Sequence, residues 1–523
     1  MKPGEIARNV SRGAFFLALE KVVALVSGTL YFALLLRWMG KDKFGILTLA
    51  MAITGFAMLA NGNFEVFLER YAAEYETHGR WATLRRAHLL AVAVKLALGV
   101  VASIVLLALV PWLEGCYHMP ELGFMLPLLV LTVAVDGLAA TARSTLYGMQ
   151  RFGWNSLLTI FFHVAKTVMV GLLWWSHGGL REFATGITVL TVTQAFLASL
   201  VPAALLWGRR DENGEPESYR GLFRTMTSYC VPLLGARAAF MSGQNLGKLV
   251  LGKLFDAGQL GLFAFAFQTV DRFVEVLYVL PQALLPSLTG LVARAERERL
   301  RWVFEQAFRL IQVAGLLLSM ALFVFAPEIT RLIASPMFMA AVPLLRVLAL
   351  VPIVRTAQQP LTMLFQAMRQ PSVVLRLALV KFAVELGSYF TIVPWLGILG
   401  GGIANLAGAV ASFGLAVMAG RELLPEGAEE RLGATARAML LALPVLAIAA
   451  AVDRLLPWKW ALTARSAMVP FVILAVFALG LVTRYDLEKL STLRIGSPWL
   501  RALRDAVVGT ADRLARVLEP RRA

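Results

Sequence analysis

Residues 87–111 read AHLLAVAVKLALGVVASIVLLALVP, an apolar run long enough to cross the hydrocarbon core of a bilayer as one helix. Thirteen other apolar segments of similar length occur along the chain, so the sequence predicts an all-α membrane protein with about fourteen transmembrane helices. The predicted spans lie near residues 13–36, 44–66, 87–111, 122–147, 154–176, 184–207, 228–251, 260–286, 305–326, 341–365, 373–394, 398–418, 435–452 and 466–483.

Composition supports the membrane assignment. The chain has 523 residues, of which 59% are hydrophobic and 16% are charged, whereas soluble domains average about 25% charged residues. A soluble globular fold is therefore excluded. Glu20 and Lys21 interrupt the first apolar run, so we expect a retained first helix and no cleaved signal peptide. The two cysteines, Cys116 and Cys230, lie in different segments and predict neither a disulfide framework nor a thiolate metal site.

Long polar interruptions divide the chain into blocks of six, six and two helices. We expect an N-terminal six-helix lobe at 1–207, a cytoplasmic linker at 208–224, a C-terminal six-helix lobe at 225–420 and two additional transmembrane helices at 435–483. After them, Ser497-Pro498 begins a segment in which apolar residues recur at helical spacing and arginines take much of the opposite face. This pattern predicts an amphipathic interfacial helix at 497–518.

The two six-helix blocks show a weak internal repeat. When the blocks are aligned so that Arg8 falls on Arg224, the same offset places Lys21 on Arg237, Arg37 on Lys253 and Gly45 on Gly261. Repeated halves that enclose a midplane site are common in transporters. The repeat therefore predicts two lobes around a central cavity.

Orientation follows from the positively charged loops. The loops assigned to the cytoplasm hold about three times as many Lys and Arg residues as the opposite loops, which places both termini in the cytoplasm. The formal net charge of +17 is thus mainly a topology signal and a contact for membrane lipid. No nucleic-acid partner is expected, because no RNA- or DNA-binding motif accompanies the charge.

Charged residues inside the spans indicate the mechanism. A charge at the bilayer centre costs roughly 2.5 to 3.5 kcal/mol, so it persists where water or an opposite charge faces it. Basic residues outnumber acidic ones in the spans, which predicts a cationic cavity. The candidate substrate-binding residues are Lys21, Arg143, Arg237, Arg272 and Arg355. The candidates for ion coupling are the carboxylates Glu20, Asp136, Asp271, Glu275 and Glu385.

Several of these side chains lie on polar stripes. Asp271, Arg272, Glu275 and Tyr278 share one side of helix eight, and Glu20, Ser27 and Tyr31 share one face of helix one. Structural roles remain as alternatives for three pairs: Asp271 with Arg272, Lys381 with Glu385, and Lys166 with His163 as a helix-packing contact. On helix twelve, a four-step ridge of small residues, Gly400, Ala404, Gly408 and Ser412, predicts close helix packing.

Motifs for other classes of protein are missing from the sequence. The GxxxxGK[ST] pattern of a phosphate loop is not met, so no built-in ATPase is predicted. The histidines show no metal-ligand spacing, and no catalytic nucleophile with a base is nominated. We therefore expect no metal, no cofactor and no enzymatic activity, although a proton or Na⁺ gradient remains a candidate energy source.

Short motifs carry a family resemblance over nearly the whole chain. RWMGKDKFG at 37–45 and ERYAAE at 69–74 resemble the opening of polysaccharide flippases of the multidrug/oligosaccharidyl-lipid/polysaccharide (MOP) superfamily, which include Wzx-like transporters. Similar short echoes are GMQRF at 148–152, LGKLFDAGQLG at 251–261 and AMRQ at 367–370. The resemblance implies two six-helix bundles with two extra helices, in the bacterial inner membrane.

The resemblance also implies a substrate. An exporter of this kind would move a lipid-linked oligosaccharide on undecaprenyl pyrophosphate, and a glycan polymerase or other assembly machinery would be its partner. The excess of basic residues in the spans agrees with an anionic substrate. The alternatives are an ion-coupled multidrug or metabolite antiporter of the same superfamily and a membrane-embedded glycan polymerase or ligase.

Overall fold

The computed structural model describes residues 3–207, 209, 216–368 and 370–421, together with isolated positions between 447 and 509. This part of the chain is helical and contains no strand. Its α-helices are α1 Pro3–Leu59, α2 Glu65–Thr77, α3 Trp81–Tyr117, α4 Glu121–Gly148, α5 Phe152–Trp175, α6 Leu180–Trp207, α7 Tyr219–Leu254, α8 Ala257–Leu277, α9 Val279–Ala293, α10 Arg297–Val324, α11 Ala326–Ile333, α12 Val342–Leu348, α13 Val351–Ala367, α14 Pro371–Thr391, α15 Val393–Leu396 and α16 Ile398–Gly420.

Many of these helices are long and apolar enough to cross a membrane. Among the described residues, seven helices meet that description, or eight if the bent pair Pro336–Leu348 and Val351–Ala367 is one span. The prediction of an all-α multi-pass membrane protein is confirmed, whereas the count of fourteen stays a prediction. The segments 435–483 and 497–518 fall almost entirely outside the described residues.

The first two predicted spans belong to one long helix with a break. Gly40 has φ of 67° and ψ of −178° inside α1, a conformation that favours glycine because it has no Cβ. The second span ends at Leu59 instead of residue 66. A turn follows it, and the chain then forms α2, a short helix that the hydropathy pattern did not predict because it is not apolar overall.

The chain divides into two compact units. Of the described residues, the first unit contains those up to Ala264 together with Thr330–Ala340, and the second contains Phe265–Ile329 and those from Ala341 onward. Helix α7 therefore belongs to the first unit, whereas the pattern of polar interruptions predicts it in the C-terminal lobe. The physical reason is packing on α1, α2 and α3. The division into six-helix lobes stays a prediction.

The described end of the linker is fixed to the first unit. Arg80 forms a 2.8 Å ion pair with Glu217, and Arg86 Nη1 donates to the Glu217 carbonyl at 2.9 Å. The Arg80 guanidinium also lies 5.4 Å from the ring centroid of Tyr75. Burial, followed by the charge of Glu217, raises the pKa of Tyr75 to about 12, so this phenol stays protonated. Residues 216–218 therefore follow a defined path to α7.

Small residues allow close packing in the second unit. A Cβ added to Gly400 would lie 2.8 Å from Val393 Cα, and one added to Gly408 would lie 2.9 Å from the Lys381 carbonyl oxygen. Gly400, Ala404, Gly408 and Ser412 are all buried. The predicted ridge on the twelfth span is thus confirmed as the surface on which α16 meets α14 and α15.

Candidate substrate-cavity residues

The polar stripe on α1 faces a polar stripe on α5. Ser156 Oγ donates to Glu20 Oε2 at 2.7 Å, and Thr167 Oγ1 donates to the Ser27 carbonyl at 3.1 Å. Farther along the same seam, Lys166 Nζ lies 5.0 Å from the Tyr31 ring centroid. The contacts advance in the same direction along both helices, so α1 and α5 run parallel there. This is the direction expected for the first and fifth spans of an alternating chain.

The other candidates in the first unit have different surroundings. Lys21 is exposed and makes no hydrogen bond or ion pair with a described residue. On α4, Asp136 and Arg143 are half-buried and likewise form no such contact within the described part of the chain. Arg237 belongs to α7, and its side chain lies outside the described residues. Nothing in the described contacts joins these candidates into one site.

In the second unit, two predicted candidates contact each other. Arg355 Nη1 on α13 is 2.6 Å from Asp271 Oδ1 on α8, and Arg355 Nε donates to the Tyr278 hydroxyl at 3.0 Å. The exposed fractions of the Arg355 and Asp271 side chains are 18% and 20%, so the pair remains accessible. The suggested pairing of Asp271 with Arg272 is corrected, because Asp271 turns toward α13.

Two further candidates lie on α8 beside this pair. Arg272 is half-buried, and Glu275, one helical turn from Asp271, is exposed. Both make further interactions of their own. The predicted polar stripe on the eighth span is therefore present, and Arg355 from another helix is added to it.

Glu385 differs from the other candidate carboxylates because it is enclosed. Its side chain is 1% exposed and accepts hydrogen bonds from Asn405 Nδ2 at 2.9 Å and from the Tyr389 hydroxyl at 3.2 Å. Lys381 Nζ lies 3.5 Å from its second oxygen. Lys381 and Glu385 therefore form an ion pair, as the alternative reading of these two residues expected, and the structural role of the pair stays a prediction. Among the described residues, no group of three or more His, Cys, Asp or Glu side chains is placed to hold a metal ion.

One ion pair was missed by the sequence analysis. Lys95 Nζ on α3 lies 2.6 Å from Glu65 Oε2 at the start of α2, with exposed fractions of 1% and 8%. Gly137 on α4 makes room for this lysine, since an added Cβ would lie 2.8 Å from Lys95 Cβ. A signal was available: Lys95 is a single charge deep in the apolar run 87–111, and such a charge requires a partner.

The long apolar helices define a multi-pass helical membrane protein, and several of them carry polar faces with basic side chains. The sequence profile of the family described as "Polysaccharide biosynthesis protein" matches residues 10–292. The match covers more than half of the chain, so the chain belongs to this family.

Relatives and solved structures agree with that assignment. Stage V sporulation protein B of Bacillus subtilis (strain 168) is 21% identical over 426 residues, which cover 76% of this chain and 81% of that protein. An inward-facing multidrug resistance MATE family transporter of the MOP superfamily has a TM-score of 0.62 and 14% identity, with 81% of this chain and 99% of that one covered. The lipid II flippase MurJ, in an inward closed conformation, has a TM-score of 0.58 and 12% identity over 96% of this chain and 98% of that one. At these identities the structural matches establish the fold.

Proposed function

We propose that this transporter is a flippase that moves a lipid-linked oligosaccharide, carried on undecaprenyl pyrophosphate, across the inner membrane by alternating access. The observation that carries the proposal is that Lys21 and Arg143 make no ion pair with a described carboxylate. Both are accessible cations in apolar helices. A pyrophosphate entering the cavity would supply the missing negative charge. The family description, polysaccharide biosynthesis, supports a glycan as cargo.

The chemistry of the cations suits a pyrophosphate. Charge-assisted hydrogen bonds to phosphate oxygens are roughly twice as strong as neutral ones, and the guanidinium of arginine can donate two parallel bonds. Lys21 would act as a compact positive charge, whereas Arg143 would hold two oxygens at once. The polyprenyl chain would stay among lipid tails, because nothing in its structure favours water.

Arg355 would join this binding step by exchanging partners. Its contact with Asp271 is accessible and not enclosed, so an incoming phosphate can compete for the same guanidinium protons. The Tyr278 hydroxyl would keep the guanidinium oriented during the exchange. Arg272 and Arg237 are included in the proposed cationic cavity on the basis of their sequence positions.

Coupling to a proton or Na⁺ gradient is part of the proposal, with Asp136 as the first candidate. Among the five candidate carboxylates, Glu20, Asp271 and Glu385 accept hydrogen bonds or form ion pairs, and Glu275 has interactions of its own. Asp136 makes no such contact with a described residue, so its charge is the one that a cation could take over. Asp136→Asn should remove the dependence on an ion gradient if this assignment is correct.

The decisive experiment is transport in proteoliposomes that contain a fluorescent polyprenyl pyrophosphate oligosaccharide. We expect Lys21→Ala and Arg237→Ala each to lower export by about tenfold or more, the amount that one lost charge-assisted contact represents. Lys21→Arg should retain part of the activity, and Lys43→Ala, which changes an exposed lysine just after the Gly40 break in α1, is the matched control. Normal export by both alanine variants at normal abundance would contradict the cationic-cavity mechanism.

An ion-coupled multidrug or metabolite antiporter is the second candidate, because the structural match to the multidrug transporter is good. A multidrug antiporter of this kind would carry a cationic substrate, whereas the flippase would carry an anionic one. Uptake of a cationic dye that depends on a proton or Na⁺ gradient, with no movement of the glycan lipid, would favour it. Transport of the glycan lipid that a cationic dye does not inhibit would exclude it.

Orientation in the inner membrane, with both termini in the cytoplasm, is proposed from the positively charged loops. Single cysteines near Lys41 and Glu114 should react with an impermeant thiol reagent added outside, and cysteines near Asn213 and Glu426 should not. The reverse pattern would reverse the direction of export. A glycan polymerase or other assembly machinery on the receiving side is the proposed partner, which chemical cross-linking in cells would detect.

A further inference from the structure

Two basic side chains make the same contact from the two halves of the sequence repeat. Arg37 Nη2 donates to the Leu332 carbonyl at 2.5 Å, and Lys253 Nζ donates to the Cys116 carbonyl at 2.5 Å. The offset that aligns Arg37 with Lys253 also aligns Cys116 with Leu332. The carbonyl that accepts from Arg37 therefore corresponds, in the repeat, to the carbonyl that accepts from Lys253. Exchanging the two halves of the repeat converts one contact into the other.

A second reciprocal contact lies close by in sequence. A Cβ added to Gly45 would collide with the Ala257 carbonyl oxygen, and a Cβ added to Gly261 would collide with the Lys41 carbonyl oxygen. The same offset pairs Gly45 with Gly261 and Lys41 with Ala257. Each backbone therefore approaches the other at a glycine. Equivalent positions of the two repeats meet in one two-fold symmetric contact, which lies within the first unit.

The accepting carbonyl groups have a common chemistry. Cys116 lies in the last turn of α3, and Leu332 lies in the last turn of α11. Carbonyl groups at a helix C-terminus lack intrahelical partners and carry partial negative charge, which a cation satisfies. The four segments involved all lie on the external side in the predicted topology. The contacts thus join external helix ends that come from both halves of the repeat.

We propose that these reciprocal contacts form a two-fold latch that holds the external ends of the helices closed, and that opening to the outside breaks both cationic contacts together. The latch is defined by Arg37 with Leu332, Lys253 with Cys116, and the glycine pair Gly45 and Gly261. It rests on the alternating-access part of the proposed function. Because the contacts are equivalent, each contributes equally and their effects on opening multiply.

Thiol labelling tests the latch without any transported substrate. Phe338 is fully buried, with its ring centroid 6.2 Å from that of Phe44, so Phe338→Cys is a reporter of opening at this contact. The native cysteines are first replaced, as Cys116→Ser and Cys230→Ser, since the latch uses only the backbone of Cys116. An impermeant maleimide is then added from outside to intact cells, and the labelling rate of the reporter is measured.

We expect Arg37→Ala and Lys253→Ala each to raise the labelling rate by about fivefold, the change that a typical net hydrogen bond represents, because exposure weakens the added effect of the charge. The double variant should show the product, about 25-fold. Arg37→Lys and Lys253→Arg should retain the slow rate. Gly45→Ala and Gly261→Ala should raise the rate as well, because their added methyl groups separate the backbones.

Lys43→Ala is the matched control, since Lys43 is exposed in the same stretch of α1 and makes no hydrogen bond or ion pair with a described residue. An unchanged labelling rate in the double variant would overturn the latch. An effect from only one of the two single variants would also overturn it, because a two-fold latch requires both. If the latch variants raise the labelling rate but the protein does not transport the glycan lipid, the latch is supported and the proposed function is contradicted.

Discussion

Two acid–base pairs with the same 2.6 Å separation have different surroundings in this protein. Lys95 with Glu65 in the first unit is almost completely enclosed, whereas Arg355 with Asp271 in the second unit remains accessible. In the enclosed pair the two opposite charges neutralise each other almost entirely out of contact with solvent. The accessible pair can release its guanidinium to another anion. Burial is therefore what distinguishes the two pairs: the enclosed pair is a structural contact, whereas the accessible pair is the one proposed to bind substrate.

The comparison also separates the candidate carboxylates. Glu385 belongs with the enclosed pair, because Asn405, Tyr389 and Lys381 surround it. Asp136 belongs with the accessible group, as it makes no hydrogen bond or ion pair with a described residue. A carboxylate that already accepts several hydrogen bonds gains little from a cation that arrives later. Coupling residues should therefore be sought among the accessible carboxylates.

The largest effect on stability is expected for Lys95→Ala. Removal of this lysine leaves the Glu65 carboxylate buried without its charge partner, which should lower the free energy of unfolding by about 3 to 5 kcal/mol. Unfolding in detergent and protein abundance in the membrane measure this change. The control is Lys95→Met combined with Glu65→Leu, which removes both charges and should restore most of the stability. Transport by that double variant should be close to normal, and its loss would show that the pair acts in transport.

Glu385→Ala should have the next largest effect. Two hydrogen-bond donors and the Lys381 ammonium lose their acceptor, so we expect the free energy of unfolding to fall by about 2 to 3 kcal/mol. Glu385→Gln keeps an acceptor oxygen and should cost about 1 kcal/mol. Chemical unfolding of the purified variants gives both values. If Glu385→Gln abolished transport at normal abundance, the carboxylate would have to be reassigned to ion coupling.

Arg355→Ala should have a small effect on stability and a large effect on transport. The loss in free energy of unfolding should be only about 1 to 2 kcal/mol, because Asp271 remains accessible to water. Transport of the glycan lipid should nevertheless fall by about tenfold or more. Arg355→Lys should be intermediate, since an ammonium cannot reproduce the two-directional contact with Asp271 and Tyr278. Equal losses of stability in Arg355→Ala and Lys95→Ala would remove the distinction drawn between the two pairs.

The smallest effect is expected at an exposed ion pair. Arg151 Nη2 lies 3.1 Å from Glu76 Oε1 at a more exposed position than either pair above. Arg151→Ala should change the free energy of unfolding by less than about 0.5 kcal/mol, and the change should shrink further at high salt. Thermal unfolding at two salt concentrations measures it. A loss well above about 1 kcal/mol, the upper end for exposed pairs, would show that exposure is a poor guide to the energy of ion pairs in this protein.

Local patterns were predicted better than long-range partners. Lys381 and Glu385 are four residues apart on one helix, and their pairing was among the alternatives that the sequence offered. Asp271, by contrast, pairs with Arg355, which is 84 residues away, and not with the adjacent Arg272. The Lys95–Glu65 pair was missed for the same reason: α2 was not predicted, so no acidic partner was assigned to the charge in α3. A partner on another helix depends on rotation and register, which one sequence does not give.

The sequence by itself determined that this is a polytopic helical membrane protein, where most of the described apolar helices lie, and that one offset aligns basic and glycine positions of its two halves. Hydropathy and helical spacing are local properties, so they can be read from neighbouring residues. Only the tertiary structure decided which charges are enclosed, which remain accessible, and that Arg37 and Lys253 reach reciprocal carbonyl groups. Those outcomes depend on how helices distant in sequence pack, because the energy of a buried charge is set by the groups that surround it in space.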